Sequence, residues 1–151
     1  MPHSALETLL EKKQGGVYFL GTSPDAKAVK KAASAEGFDY FHIEGRNIAR
    51  KEQLLNAMAT ALDLPPHFGQ NWDALEECLN DMDSVEGDGF VIHYDHVDAL
   101  AAAHPSELET LVEILRDSVA SWREDGTAMV VLFTGTKAPK GVAKLKADAT
   151  E

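Results

Sequence analysis

Acidic side chains recur at helical spacing in residues 71–82 of this 151-residue chain, which read NWDALEECLNDM. The residues three, four, seven and eight positions after Asp73 share its side of a helix, and they are Glu76, Glu77, Asn80 and Asp81. Like charges at i,i+4 destabilise an isolated helix by about 0.2–0.5 kcal/mol per pair. An acidic face of this kind complements a cationic partner. Solubility alone is the alternative explanation.

The segment before this helix favours a rigid loop. Pro65 and Pro66 restrict the backbone, and Gly69 can adopt a positive φ, so His67 would be held beside the acidic face. A preorganised surface loses less entropy on association. We therefore predict a partner-binding surface within residues 67–81, with the contact residues His67, Asp73, Glu76, Glu77, Asn80 and Asp81.

The other side of the same helix is expected to face the core. Asn71 can cap a helix that starts at Trp72, and Asp73 would then lie in the first turn, where the helix dipole also favours a carboxylate. An apolar stripe follows at helical spacing and consists of Trp72, Leu75, Cys78, Leu79 and Met82. We expect Cys78 to be inert because it belongs to this stripe.

Three further groups of residues could carry chemistry. His93, Asp95 and His96 are types that bind metals, but His96 follows the end of a strand, so convergence is not expected and we predict no metal site. The turns at 21–23 and 134–137 could hold phosphate, yet neither matches a dinucleotide or P-loop motif. Without a nucleophile–base arrangement, we predict a protein that is not an enzyme and has no cofactor.

The charge of the chain is concentrated in its middle. The net charge is −11, and the 64 residues between Lys51 and Arg116 contain 14 acidic residues and no Lys or Arg. This field repels phosphate backbones and anionic membranes, so we expect neither nucleic acid nor a membrane as a direct partner. One cysteine and the lack of an apolar leader or long apolar run suit a cytoplasmic protein. We expect a monomer.

Alternating strand and helix patterns predict a parallel sheet covered by helices. The expected strands are 16–20, 38–43, 89–94 and 128–133, each rich in β-branched or aromatic residues. The expected helices are 4–13, 23–37, 49–63, 71–82 and one starting near Pro105. Trp72 and Trp122 continue the apolar stripes of their helices and are predicted to pack in the core. The Lys- and Ala-rich segment 134–151 is expected to be a flexible or marginally helical tail.

Residues 64–79 resemble the signature segment of the barstar family of intracellular ribonuclease inhibitors, L-P-x-x-[FY]-G-x-N-x-D-A-L-x-[DE]-C-L. The sequence here is LPPHFGQNWDALEECL, and the order of elements over 38–133 also fits. The resemblance implies an α/β fold with a three-stranded parallel sheet, or four strands if an N-terminal extension contributes one. It leaves 1–37 as a helix–strand–helix extension of the same globule and 134–151 as the tail.

The resemblance also implies roles for individual residues. Asp73 and Glu77 match acidic contacts to the ribonuclease, and His67 takes the place of an aromatic contact. Glu76 replaces a large aromatic residue and Asn80 replaces a threonine. A further acidic contact of the family falls at Ala120 or Ser121, where Glu124 or Asp125 could substitute by analogy.

The function expected from this resemblance is inhibition of a small basic, barnase-like ribonuclease by a helix and loop that plug its active site. Two alternatives are open. The fold could serve as an interaction module for a different basic protein, since residues 67, 76 and 80 depart from the family. It could also be a small phosphate-ligand-binding α/β protein that uses the turns near 21 and 134.

Overall fold

A parallel β-sheet organises the chain in a computed structural model that describes residues 5–13, 15–21, 26–64, 71–80 and 89–145. Its strands are β1 (Gly16–Gly21), β2 (Phe38–Glu44), β3 (Gly89–Asp95), β4 (Ala128–Thr134) and β5 (Ala143–Lys144). They lie in the order β2-β3-β4-β1-β5, and every neighbouring pair is parallel. The predicted class, a parallel α/β sheet packed with helices, is confirmed, with five strands where three or four were expected.

Six helices connect and cover the strands within the described residues. They are α1 (Ala5–Glu11), α2 (Ala26–Ala35), α3 (Lys51–Leu62), α4 (Trp72–Asn80), α5 (Asp98–Ala103) and α6 (Pro105–Glu124). Pro105 occupies the first turn of α6, where its missing N–H would have no partner in any case. None of the helices in this part of the chain is long and apolar enough to cross a membrane.

The sheet is buried on both faces, and the two faces have separate cores. Because side chains alternate along a strand, Phe90, Ile92 and Tyr94 of β3 point to one face and pack with α3, α4, α5 and α6. Val91 points to the other face, where Leu10 of α1 and other residues of α1 and α2 cover it. Strands covered on both sides read as continuous apolar runs, as FVI in β3 and AMVVLF in β4 do.

The N-terminal segment contributes both to the sheet and to its cover. β1 lies between β4 and β5, and α1 and α2 supply the core on the second face. That residues 1–37 are an extension forming part of the same globule stays a prediction.

Two elements differ from the sequence prediction. Helix α5 has only six residues, DALAAA, which is too short for a helical period to be read from the sequence. The expected tail contains strand β5, whose two residues pair with Tyr18 and Phe19 of β1. The Leu145 N–H donates to the Phe19 carbonyl at 2.8 Å, so edge pairing with β1, rather than local propensity, places this strand. Residues 146–151 lie outside the described part.

Candidate functional site

Helix α4 is capped at its amino end and attached to α6 near its carboxyl end. The Asn71 side-chain oxygen accepts a hydrogen bond from the Ala74 N–H at 2.8 Å, which confirms the predicted cap. At the other end, the Trp122 indole N–H of α6 donates to the Leu79 carbonyl at 2.8 Å. Leu75 and Leu79 are fully buried between these points. The apolar stripe therefore locks the helix in one orientation.

The opposite face of α4 carries exposed polar groups. Asp73, Glu77 and Asn80 are exposed, whereas Glu76 is half-buried. The exposed three are at positions i, i+4 and i+7, so they follow one line along the helix surface. The structure thus brings Asp73, Glu77 and Asn80 together as predicted, with Glu76 at the margin of that line.

Part of the predicted surface cannot be placed. His67, Pro65, Pro66 and Gly69 of the preceding loop and Asp81 after the helix lie outside the described residues. Cys78 is half-buried and forms no disulfide. Its position on the flank of the apolar stripe agrees with the core assignment for the described part of that stripe.

The end of α6 lies beside α4, because Trp122 joins the two helices. Trp122 is half-buried and its ring packs edge-on against Phe90, with ring centroids 5.4 Å apart, so its predicted packing role is confirmed. Its neighbours Ala120 and Ser121 are exposed. Glu124 at the end of the helix and Asp125 after it are also exposed. Either acid remains a candidate for the family's further contact.

A second cluster of polar side chains occupies the carboxyl ends of β2, β3 and β4. The strand register places His42 beside His93 and Glu44 beside Asp95. Alternate residues of a strand share a face of the sheet, so His42 and Glu44 lie on the same face as Tyr40, and His93 and Asp95 on the same face as Val91. This is the face covered by α1 and α2, opposite α4. The sequence contains a signal for this cluster. Both strands end in His-x-acid, as HIE and HYD, and the pairing of two such ends in a parallel sheet brings their side chains together.

His93 is the buried centre of this cluster. Its Nδ1 lies 2.8 Å from the Tyr40 hydroxyl and its Nε2 lies 3.3 Å from the Thr134 hydroxyl. The Thr134 hydroxyl donates to Asp95 Oδ1 at 2.5 Å, so it accepts from His93. This fixes the proton of neutral His93 on Nε2.

Burial lowers the pKa of His93 to about 4, against a smaller opposing effect of the Asp95 carboxylate. His93 is therefore neutral at neutral pH, with both ring nitrogens hydrogen-bonded. For Asp95, burial would raise the pKa, but the Thr134 hydrogen bond and the neighbouring His93 and His96 outweigh it and lower the pKa. Burial raises the pKa of Tyr94, whose ring lies on the opposite face.

Asp95 is surrounded by imidazoles and a second carboxylate. His96 Nδ1 lies 2.9 Å from Glu44 Oε1 and 3.3 Å from Asp95 Oδ1, and His42 Nε2 lies 3.5 Å from Asp95 Oδ2. Of the sequence-predicted triplet, the structure brings Asp95 and His96 together. It places His93 in the buried hydrogen-bond chain instead.

The parallel sheet and the anchored helix α4 define an α/β protein that presents an acidic helix on a rigid support. Residues 38–134 match the family model described as Barstar (barnase inhibitor), and since this is well over half of the chain, the protein belongs to the barstar family. A search of curated protein sequences gave no significant match.

Solved structures show similarity in fold. The ORC2 protein of Aeropyrum pernix, in ADPNP–ADP complexes, aligns over 88% of this chain with a TM-score of 0.57 and 16% identity. A chain of Drosophila ORC bound to AT-rich DNA and Cdc6 aligns over 86% with a TM-score of 0.46 and 11% identity. The present chain spans 38% and 43% of the lengths of these two chains. At such identities the first similarity concerns the fold alone, and the second carries no argument.

Proposed function

We propose that this protein is an intracellular inhibitor of a small basic ribonuclease, which it binds through the exposed face of α4 and the segment preceding it. The observation that carries the proposal is the coincidence of two features at α4. The helix lies within the range that matches the family, 38–134, and carries the second half of the segment that resembles the family signature. Asp73, Glu77 and Asn80 are exposed on this helix, which is capped by Asn71 and attached to α6 through Trp122.

The proposed inhibition requires no chemistry on the ribonuclease. A ribonuclease active site carries cationic groups that bind substrate phosphates, and the carboxylates of Asp73 and Glu77 would occupy those positions. Charge-assisted hydrogen bonds of this kind are among the stronger ones. Because the helix is already formed, it supplies them with little loss of backbone entropy.

The acidic residues between Lys51 and Arg116 have a separate kinetic role in this proposal. A field of one sign accelerates the approach of an oppositely charged partner and is screened by salt. The carboxylates at the rim of the interface should therefore act mainly on the association rate. Groups that become buried against the enzyme should act mainly on dissociation.

The test is calorimetric titration of the full chain against a barnase-type ribonuclease at low and at physiological ionic strength. The test variant is Asp73→Ala with Glu77→Ala. The control is Glu109→Ala with Glu113→Ala, which also removes two exposed acids at i,i+4 spacing, but from α6. Both doubles change the net charge equally, so a general field effect cancels between them.

We expect tight binding that weakens with salt and that the α4 double variant weakens by more than about 30-fold. Hot-spot substitutions typically cost ~2 kcal/mol or more each, a scale that includes values for a member of this family. The control should change affinity several-fold at most. Equal losses in the two doubles would contradict the assignment of α4 as the interface. A lack of binding to barnase-type enzymes would contradict this target class.

A further inference from the structure

We propose that His42, Glu44 and Asp95 form a binding site for a divalent transition-metal ion, with Zn²⁺ as the fitting ion, at the carboxyl edge of β2 and β3. Each of the three residues offers one ligand atom, and these atoms all lie within 4.8 Å of one another. The proposal concerns the face of the sheet opposite α4 and does not depend on ribonuclease binding.

The strand register is what assembles the three donors. His42 and Glu44 are two residues apart on β2, so they share a face, and Glu44 is the register partner of Asp95 on β3. Both strands are parallel and end at this edge, and open parallel sheets bind ligands at the carboxyl ends of their strands. The site therefore rests on backbone geometry that the sheet itself holds in place.

The separation of two of the three donors suits a tetrahedral ion. Zn²⁺ binds His nitrogen and carboxylate oxygen at about 2.0–2.2 Å, so two donors of a tetrahedral site lie ~3.4 Å apart. His42 Nε2 and Asp95 Oδ2 are 3.5 Å apart. The Glu44 side chain is 46% exposed. Its Oε1 accepts from the Arg46 N–H at 2.9 Å and faces His96, which leaves Oε2 to complete the third bond.

The His42 nitrogen has a single long polar contact among the described residues. Its Nε2 is enclosed from solvent and lies 3.5 Å from Asp95 Oδ2, at the limit of a hydrogen bond. An enclosed polar atom with so long a contact is poorly satisfied. Coordination of a metal ion shared with the carboxylates would satisfy it.

His96 and Arg46 would orient the carboxylates without binding the ion. Arg46 donates from its guanidinium to His96 Nε2 at 3.2 Å, so the proton of a neutral His96 lies on Nδ1. That nitrogen faces Glu44 Oε1 and Asp95 Oδ1. The other carboxylate oxygens are then left for the ion, and supporting contacts of this kind are common around metal ligands.

The ligand set distinguishes this site from a chance group of acids. It mixes one imidazole with two carboxylates, a set that favours Zn²⁺ over Ca²⁺ and Mg²⁺, which take oxygen ligands. With three protein ligands, a tetrahedral ion keeps one position for water.

The test is calorimetric titration of ZnCl₂ into the full chain after chelator treatment and removal of the chelator. The variants are His42→Gln and Glu44→Gln, which remove single donors and leave the His93–Thr134–Asp95 hydrogen bonds intact. The matched controls are His104→Gln and Glu113→Gln, which change exposed residues outside this cluster. Circular dichroism and urea unfolding establish that each variant is folded.

We expect one equivalent of Zn²⁺ to bind, with affinity reduced at least ~10-fold in each donor variant and unchanged in the controls. Co²⁺ added in place of Zn²⁺ should give the strong visible absorption of a four-coordinate ion, and this absorption should be lost in His42→Gln. Equal Zn²⁺ binding by donor variants and controls, or no saturable binding by the wild type, would overturn the proposal. Ribonuclease affinity should be the same with and without Zn²⁺, so the two proposals can fail separately.

Discussion

Replacement of Trp122 by Phe should destabilise α4 by more than the lost ring area alone would, because it also removes a hydrogen bond. Trp122 donates its indole N–H to the Leu79 carbonyl at 2.8 Å. That carbonyl is one of the last four of α4, which have no partner within the helix. Phenylalanine keeps the edge-on contact with Phe90 but has no donor. The variant therefore leaves the carboxyl end of α4 without its side-chain hydrogen bond.

The expected loss follows from the position of this hydrogen bond. A typical intramolecular hydrogen bond contributes about 0.5–1.5 kcal/mol, and leaving its partner unsatisfied in a buried place costs about 1–3 kcal/mol. Because Trp122 is half-buried, water can solvate the freed carbonyl in part. The free energy of unfolding should fall by about 2 kcal/mol, which corresponds to roughly 4–8 °C in melting temperature for a chain of this length.

The matched control is Trp72→Phe, which removes the other tryptophan of the chain. Trp72 lies under the Lys51 amino group, 5.5 Å from its ring centroid, and phenylalanine retains a ring face for that contact. Cation–π interactions at such sites contribute about 0.5–1 kcal/mol, and the smaller ring also loses part of the packing of Trp72 against the core. This variant should therefore lose about 1 kcal/mol, less than Trp122→Phe.

Urea unfolding followed by circular dichroism measures both variants without relying on tryptophan fluorescence. Amide hydrogen exchange in α4 gives a local readout, and exchange should accelerate in Trp122→Phe while the strands stay protected. Equal stability losses in the two variants, or unchanged exchange in α4, would refute the role assigned to the Trp122 hydrogen bond.

Two further predictions concern the cap of α4 and the buried imidazole. Asn71→Ala removes the acceptor of the Ala74 N–H and should cost ~1 kcal/mol in urea unfolding, whereas Asn71→Asp should retain most of the stability. Because the pKa of His93 is lowered to about 4 from 6.5, below pH 6.5 the unfolded chain binds a proton that the folded chain excludes. The free energy of unfolding should fall by about 3 kcal/mol from pH 6.5 to 4. In metal-free buffer, His93→Gln should reduce this dependence of the free energy of unfolding on pH, and His104→Gln should not. An equal dependence in the wild type and both variants would contradict the role assigned to His93.

The sequence predicts the helices and strands of this protein better than it predicts the side-chain contacts between them. Four strands and five helices follow from apolar periodicity and capping residues, because both are local properties. The cap at Asn71 and the inner face of α4 follow in the same way. The cluster around His42 and Asp95 depends on the register of two strands 51 positions apart, which no local pattern specifies. The indole bond from Trp122 to Leu79 joins residues 43 positions apart and was out of reach for the same reason.

The position of β1 has a consequence for the family domain in this chain. All seven residues of β4 are buried, although 38–134 by itself would leave β4 at the edge of the sheet, because its partner on that side is β1. It would also expose Val130 and Leu132 on the face that α1 and α2 cover. An uncovered, apolar edge strand promotes aggregation. The N-terminal segment thus completes the sheet through β1, and its helices α1 and α2 lie on the face opposite α4.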